Sequence, residues 1–309
     1  MNICQHIYCK NIFDRHLENC SICGYPTDTE KLKDINFLQN LLPALPVDNI
    51  IDMHQIIPNN SSMVDAQLLM MEKINIKKVL LQSVPDKVTS IYGNQKLLEV
   101  KNNYNSKFWI SHFMDPRHPF ARRRLKQYRE RGVKVIKLLP CLGYAPDNPK
   151  WHRFWQTMEK LELIAMVHTG FITARHKKEE YKNNLFLSSK FGNPILFDIL
   201  ARKYPDLQFI LCHTGGLIWT EAAVQMINQH NNVWGDISGF GLLALKKIVQ
   251  NRISIDWNKL FWGNDSSPYI YPFNLNLLLH TLKEDNISSY ILPKLLYENA
   301  LAFSKKFSL

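Results

Sequence analysis

The sequence predicts an α/β chain, an eight-unit β/α barrel preceded by a small cysteine-rich appendage. Three observations carry that prediction. Short β-branched runs alternate eight times with longer amphipathic stretches. The 309 residues accommodate one barrel of about 250 residues with an extra segment. Four of the six cysteines fall within the first 23 residues.

The appendage comes first, over residues 1–30. Cys4, Cys9, Cys20 and Cys23 form a C-x4-C-x10-C-x2-C array that ends in a Cys-x-x-Cys-Gly turn. Two close pairs on a short segment can place four thiolates tetrahedrally around zinc, and so small a segment lacks the apolar mass to fold unaided. His6 and His16 could each replace a cysteine. Disulfides are the rival, which a reducing compartment disfavours. The two remaining cysteines, Cys141 and Cys212, are isolated and read as packed or close to a site.

Residues 31–47, with Pro43 and Pro46, read as a linker, and residues 48–309 as the barrel with closing C-terminal helices. The strand-like runs are NIIDMH, KKVLLQS, KFWISHF, VKVIKLL, LIAMVH, LQFILCH, NVWGDIS and KLFWGND. Between them lie helical patterns such as MVDAQLLMMEKI, PFARRRLKQYRERG, WHRFWQTMEKLE and PILFDILARKYP. Continuous apolar strands suit a parallel barrel, whose strands are buried on both faces. A doubly wound sheet is the competitor, weakened by the missing Gly-rich phosphate loop after the first strand.

Apolar residues at 46% and charged residues at 21% describe a globular protein and exclude a disordered or fibrous one. No apolar run reaches the roughly 20 residues that span a bilayer, and the amino terminus lacks a signal-peptide pattern; a cytoplasmic location is expected. The net charge of +11 favours anionic partners. Much of the excess lies between Arg122 and Lys137, at helical spacings that fit a solvated outer face. Neither interleaved aromatics nor a nucleic-acid-binding module accompanies it. A small molecule or peptide of anionic character is the expected partner, and a homo-oligomer is compatible with the sequence.

Barrel enzymes carry their chemistry at the carboxyl ends of the strands. His54 ends the first run, His112 the third, His168 the fifth and His213 the sixth; Lys137 lies in the fourth and Asp265 follows the eighth. One strand-end histidine is more often a core residue. Several converging on one mouth, with a carboxylate, make a ligand set for zinc or a similar ion that keeps a position open for water.

MVHTG (Met166 to Gly170), FILCHTGG (Phe209 to Gly216), LFWGNDSSP (Leu260 to Pro268) and YENALAF (Tyr297 to Phe303) together resemble the amidohydrolase superfamily. The resemblance is to its amidohydrolase-related branch, which includes aminocarboxymuconate-semialdehyde decarboxylase, and spans about residues 48 to 305. It implies a (β/α)8 TIM-type barrel holding one or two divalent metals, with hydrolysis of amide or ester bonds as the commonest activity. Carried over, His54 matches the first histidine of a strand-one His-x-His pair and His168 the strand-five ligand. His213 matches the strand-six histidine that binds metal or polarises substrate, and Asp265 the strand-eight aspartate that ligates metal and shuttles a proton. Ile56 stands where the pair's second histidine belongs. The expectation is therefore one catalytic divalent ion, zinc by preference, on His54, His168 and Asp265, with His213 facing the developing oxyanion. A second ion would require a carboxylated Lys137 or recruitment of His112. The resemblance also admits a decarboxylase acting on a carboxylate, and Ile56 motivates a catalytically silent binding barrel. Specificity is expected from the loops Gly143 to Trp151 and Phe171 to Leu187.

Overall fold

Runs rich in Ile, Leu and Val cannot leave either face in water, so they assemble side by side beneath a cover of helices. The computed structural model describes residues 2–6, 9, 12–13, 17–45, 47–58, 60, 62–84, 93–171, 188–283 and 288–309. His16 and most of the expected specificity loop after Phe171 lie outside the described residues. Eight strands follow one another in a single parallel sheet whose spatial order is the chain order. They are β1 (Ile50–Gln55), β2 (Ile76–Gln82), β3 (Phe108–Phe113) and β4 (Val135–Leu138). Then come β5 (Ile164–His168), β6 (Gln208–Cys212), β7 (Val233–Asp236) and β8 (Leu260–Phe261).

A helix follows each strand: α1 (Ser62–Ile74), α2 (Asn94–Asn103), α3 (Ala121–Glu130) and α4 (His152–Lys160). The second half repeats the pattern with α5 (Asp198–Lys203), α6 (Thr220–Gln229), α7 (Gly241–Gln250) and α8 (Tyr271–Lys283). Then α9 (Ser288–Pro293) and α10 (Asn299–Phe307) close the chain. The basic stretch is α3, which buries Ala121 and Leu125 and leaves Arg122, Arg123 and Arg124 exposed, the solvated face its spacing predicts.

Two apolar layers hold the barrel. Ile51, Met53, Leu80, Val135, Ile164, Met166, Ile210, Cys212 and Phe261 fill its interior, and Ala300 and Phe303 of α10 plug it from below. Alternate strand residues, among them Val79, Leu81, Ile136, Leu138, Phe209 and Leu211, pack outward against the helices.

The ring is drawn shut between its first and last strands. Met53 N–H donates to the Trp262 carbonyl at 3.0 Å and Asp265 N–H to the His54 carbonyl at 2.8 Å. Gly263 permits that approach, since a Cβ there would stand 2.6 Å from His54 Cβ and 2.8 Å from its backbone nitrogen.

Strand β1 also carries a bulge. Asp52 pairs with Val79 but Gln55 with Leu81, one residue more on β1 than on β2. The extra residue reverses the in-out alternation. Met53 and His54 both face the interior, whereas Asp52 and Gln55 face the helix layer, where each meets the hydroxyl of Tyr271.

Ahead of the barrel, Asn2–Ile3 pairs antiparallel with Ile12–Phe13. A short helix over Ile35–Asn40 follows, with Asp34 accepting from the amides of Asn36 and Phe37 as its cap.

Candidate active site where the first and last strands meet

The top of the barrel is polar because strand ends of alternate parity project there without helix cover. His54 reaches it through the β1 bulge. Asp265 reaches it from the residues after β8, with its backbone in the left-handed region at φ 47°. His213, just past β6, is left-handed as well, at φ 62°. Both conformations are costly for residues with a Cβ and recur where geometry is set by function.

Hydrogen-bond partners fix the state of each imidazole. His54 Nδ1 lies 2.9 Å from Asp236 Oδ2. That carboxylate also accepts from the amides of His213 and Ser238 and from the Ser238 hydroxyl. Burial works against the Asp236 charge, but the imidazoles of His54 and His213 and the Ser238 hydroxyl outweigh it and hold the carboxyl far below its usual range. Ionised Asp236 can only accept, so His54 carries its proton on Nδ1 and presents a lone pair on Nε2. His213 Nδ1 lies 3.0 Å from the Ser238 carbonyl, again an obligate acceptor, which leaves Nε2 as its lone pair too. Burial keeps both rings neutral: it brings His54 down to about 4, with the nearby Lys137 charge adding to the effect, and lowers His213.

The acceptor nitrogens are engaged within the site. Lys137 Nζ stands 3.2 Å from His54 Nε2 and 3.0 Å from Cys212 Sγ. His168 Nδ1 stands 3.2 Å from His213 Nε2. Asp265 approaches His54 Nε2 to 3.4 Å and His213 Nδ1 to 3.8 Å; burial raises its carboxyl.

Among the described residues, the donor atoms of His54, His213 and Asp265 lie within 4.8 Å of one another, and so do those of His54, Cys212 and Asp236. The first set fits a divalent ion. Two imidazoles, that of His54 held by an outer hydrogen bond to the Asp236 carboxylate, and one carboxylate are the donors such an ion takes. The ion would displace Lys137 from His54 Nε2.

The expected site residues do not all meet in one group. His168, expected as a ligand, reaches the cluster through His213 and belongs to neither group. His213, expected to bind metal or to face an oxyanion, lies in the group with His54 and Asp265, with its Nδ1 3.0 Å from the Ser238 carbonyl. His112 does not enter the mouth: its ring sits edge-on against Tyr128 of α3, at 4.6 Å, on the outer side of the sheet. Ile56 is half-buried, one residue beyond β1. Cys212 lies at the site beside Lys137. Asp236 and Ser238 were missed, although they sit at and just beyond the end of the seventh strand, where the strand-end rule places chemistry. The four amino-terminal cysteines do come together, with all their sulfurs within 4.8 Å of one another.

A family profile described as amidohydrolase matches residues 94–303, about two thirds of the chain. The chain belongs to the amidohydrolase family. The match begins after β2, so His54 and Ile56 lie outside it. Amidohydrolase-like and related barrels are also found among solved structures. An uncharacterised TIM-barrel protein from Bordetella bronchiseptica superimposes with a TM-score of 0.63 at 14% identity, over 84% of this chain and 100% of that one. A probable 2-pyrone-4,6-dicarboxylic acid hydrolase from Acinetobacter baumannii, with citric acid bound, gives 0.59 at 14% identity, over 84% and 100%. A 5-carboxyvanillate decarboxylase from Novosphingobium aromaticivorans, with bound manganese, gives 0.54 at 15% identity, over 84% and 97%. At these identities the likeness shows the fold. No curated protein matches the chain in sequence. Within this amidohydrolase, no described helix is long and apolar enough to cross a membrane.

Proposed function

We propose that the chain is a metal-dependent hydrolase acting on an amide or ester of an anionic small molecule. The observation that carries this reading is the convergence of one donor atom each from His54, His213 and Asp265 within 4.8 Å of one another, with His54 Nε2 presented as a lone pair. A divalent ion held there would supply Lewis acidity and a more acidic water. Asp265, its carboxyl raised by burial, accepts the proton of the attacking water and returns it to the leaving group. Lys137, whose ammonium points into the same space, takes the place expected of His213 and stabilises developing negative charge or a substrate carboxylate. Asp236 and Ser238 touch no substrate. They hold the two imidazoles in the required tautomers.

The test is a panel of carboxylated esters, lactones and amides assayed with zinc or manganese added. Asp265→Asn is expected to lower kcat/KM about 10³-fold with the fold intact. An unchanged rate in that variant would refute the assignment, and no turnover by either protein would favour a binding barrel. A second reading, decarboxylation, is favoured by the same buried ammonium, which is suited to a substrate carboxylate. Release of carbon dioxide without uptake of water would replace hydrolysis with it.

A further inference from the structure

Outside the barrel mouth, the group of metal-binding side chains that comes together among the described residues is the amino-terminal cysteine cluster. Cys4 and Cys23 place their sulfurs 3.6 Å apart, and Cys9 and Cys20 3.8 Å apart. A disulfide needs about 2.05 Å. Four sulfurs about 2.3 Å from a central zinc, at tetrahedral angles, lie about 3.8 Å from one another. The observed spacings are those of the edges of such a tetrahedron. Cys4, Cys20 and Cys23 are buried and Cys9 nearly so.

Backbone turns present the thiols. Cys9 N–H donates to the His6 carbonyl, while Gly24 N–H donates to Cys20 and Cys20 N–H to Tyr25. Gly24 takes φ 78°, the left-handed value that lets the Cys20 to Cys23 turn close.

The cluster is seated mainly on α8, with α7 beside it. Tyr25 packs on Phe273 of α8 with ring centroids 5.0 Å apart, and His6 lies 6.2 Å from the same ring. Asn276, one turn on, donates to the Leu41 carbonyl at 2.8 Å and reaches the Cys23 carbonyl at 3.5 Å. Cys9 and Ile22 border a crevice with Leu277 and His280 of the same helix and with Leu242 and Leu243 of α7. The opposite face of α8 packs on chain neighbours of the site residues: Tyr271 donates to Asp52 Oδ2 at 2.5 Å, and Asn274 donates to Asn264, the residue before Asp265.

We propose that Cys4, Cys9, Cys20 and Cys23 hold one zinc ion as thiolates, and that this ion, by fixing the appendage on α8, positions the loop that carries Asp265. Among the described residues, the regular structure of residues 1–30 ahead of its closing turn is a two-residue strand pair and the Asn19–Pro26 bridge, with no long element to define its shape. Zinc binding releases the thiol protons and supplies the missing folding energy. The ion is structural: no position is left open for water, and the residues between it and the mouth act only by placement.

The test uses the full chain with His54→Ala and Asp265→Ala, so that the barrel site contributes no metal. Elemental analysis should find one zinc per chain, and cobalt substitution should give the near-ultraviolet thiolate-to-metal absorption of a sulfur-ligated ion. Cysteine-to-cysteine disulfides found by mass spectrometry, or protein free of zinc and iron, would overturn the site; iron in place of zinc would overturn the choice of metal. For the positioning role, zinc is stripped from the otherwise native chain with a mercurial reagent and hydrogen exchange is followed by peptide. Faster exchange across residues 260–283, with α3 unchanged, is the expected result. Unchanged exchange over 260–283 in zinc-stripped protein would refute the coupling. Because these readouts do not depend on turnover, they stand apart from the hydrolase assignment.

Discussion

Tyr271→Phe removes one hydroxyl and leaves three buried groups short of a partner. The hydroxyl donates to Asp52 Oδ2 at 2.5 Å and accepts from Gln67 Nε2 at 2.9 Å and Gln55 Nε2 at 3.2 Å. Gln55 Nε2 keeps its bond to Gln67 Oε1 at 2.7 Å, so its loss is partial. Asp52 Oδ1 keeps the amides of His54 and Asn264, but among the described residues Oδ2 is held by the Tyr271 hydroxyl alone. At about 1 kcal/mol for each neutral bond, the variant should lose about 3 kcal/mol of stability where Asp52 is protonated. Burial pushes the Asp52 carboxyl up to about 8, and the Tyr271 hydroxyl is first among the groups pulling it back. A folded pKa above the unfolded one means that the native state holds the extra proton. Stability therefore falls as pH rises from about 4 to about 8 in the parent. Removing the hydroxyl raises that folded pKa further, so the loss should grow by about 1 to 2 kcal/mol above pH 9, where the missing bond is one to a charge. Urea unfolding of both proteins at acid and alkaline pH measures it. A loss under about 1 kcal/mol, or one that shrinks with rising pH, would refute the network.

Gly263→Ala should cost about 3 kcal/mol, because its Cβ meets the backbone of His54 rather than a flexible side chain; a denaturation midpoint like the parent's would show that the seam can open without penalty. Lys137→Met removes the ammonium that competes for His54 Nε2 and should tighten zinc binding about tenfold in competition with a chromophoric chelator, while hydrolysis falls. Weaker zinc binding in that variant would mean that the lysine helps to hold the ion. Ile56→His should also tighten metal binding, since position 56 follows the strand that delivers His54; unchanged affinity would show that this backbone does not bring the position to the ion.

The alternation of apolar runs was enough to place all eight strands, since burial on both faces leaves a continuous signature. The strand-end rule points to His54, Lys137, His213 and Asp265, which the structure brings together at the mouth. It also proposed His112, because sequence spacing does not reveal which side of a strand faces inward, and its ring lies against Tyr128 instead. The β1 bulge is likewise silent in the sequence. It takes the register against β2 to show that Asp52 and His54, two residues apart, face opposite sides of the sheet. Asp236 and Ser238 were overlooked because short polar residues at a strand end look like an ordinary turn. Their importance lies in which tautomers they impose, and that depends on partners distant in the chain.

The seam between β1 and β8 also has a meaning in time. His54 lies near the start of the ring and Asp265 at its end, and both reach the same point only when Met53 meets Trp262. A ribosome that has not yet passed the eighth strand has made a chain in which this ligand set cannot exist. Ion capture at the mouth would then report that the last strand has docked, and ligand binding would favour the closed ring over any open intermediate. Chains stalled or truncated before residue 265 would gain nothing from the metal, so quality control could act on them without competition from a bound ion.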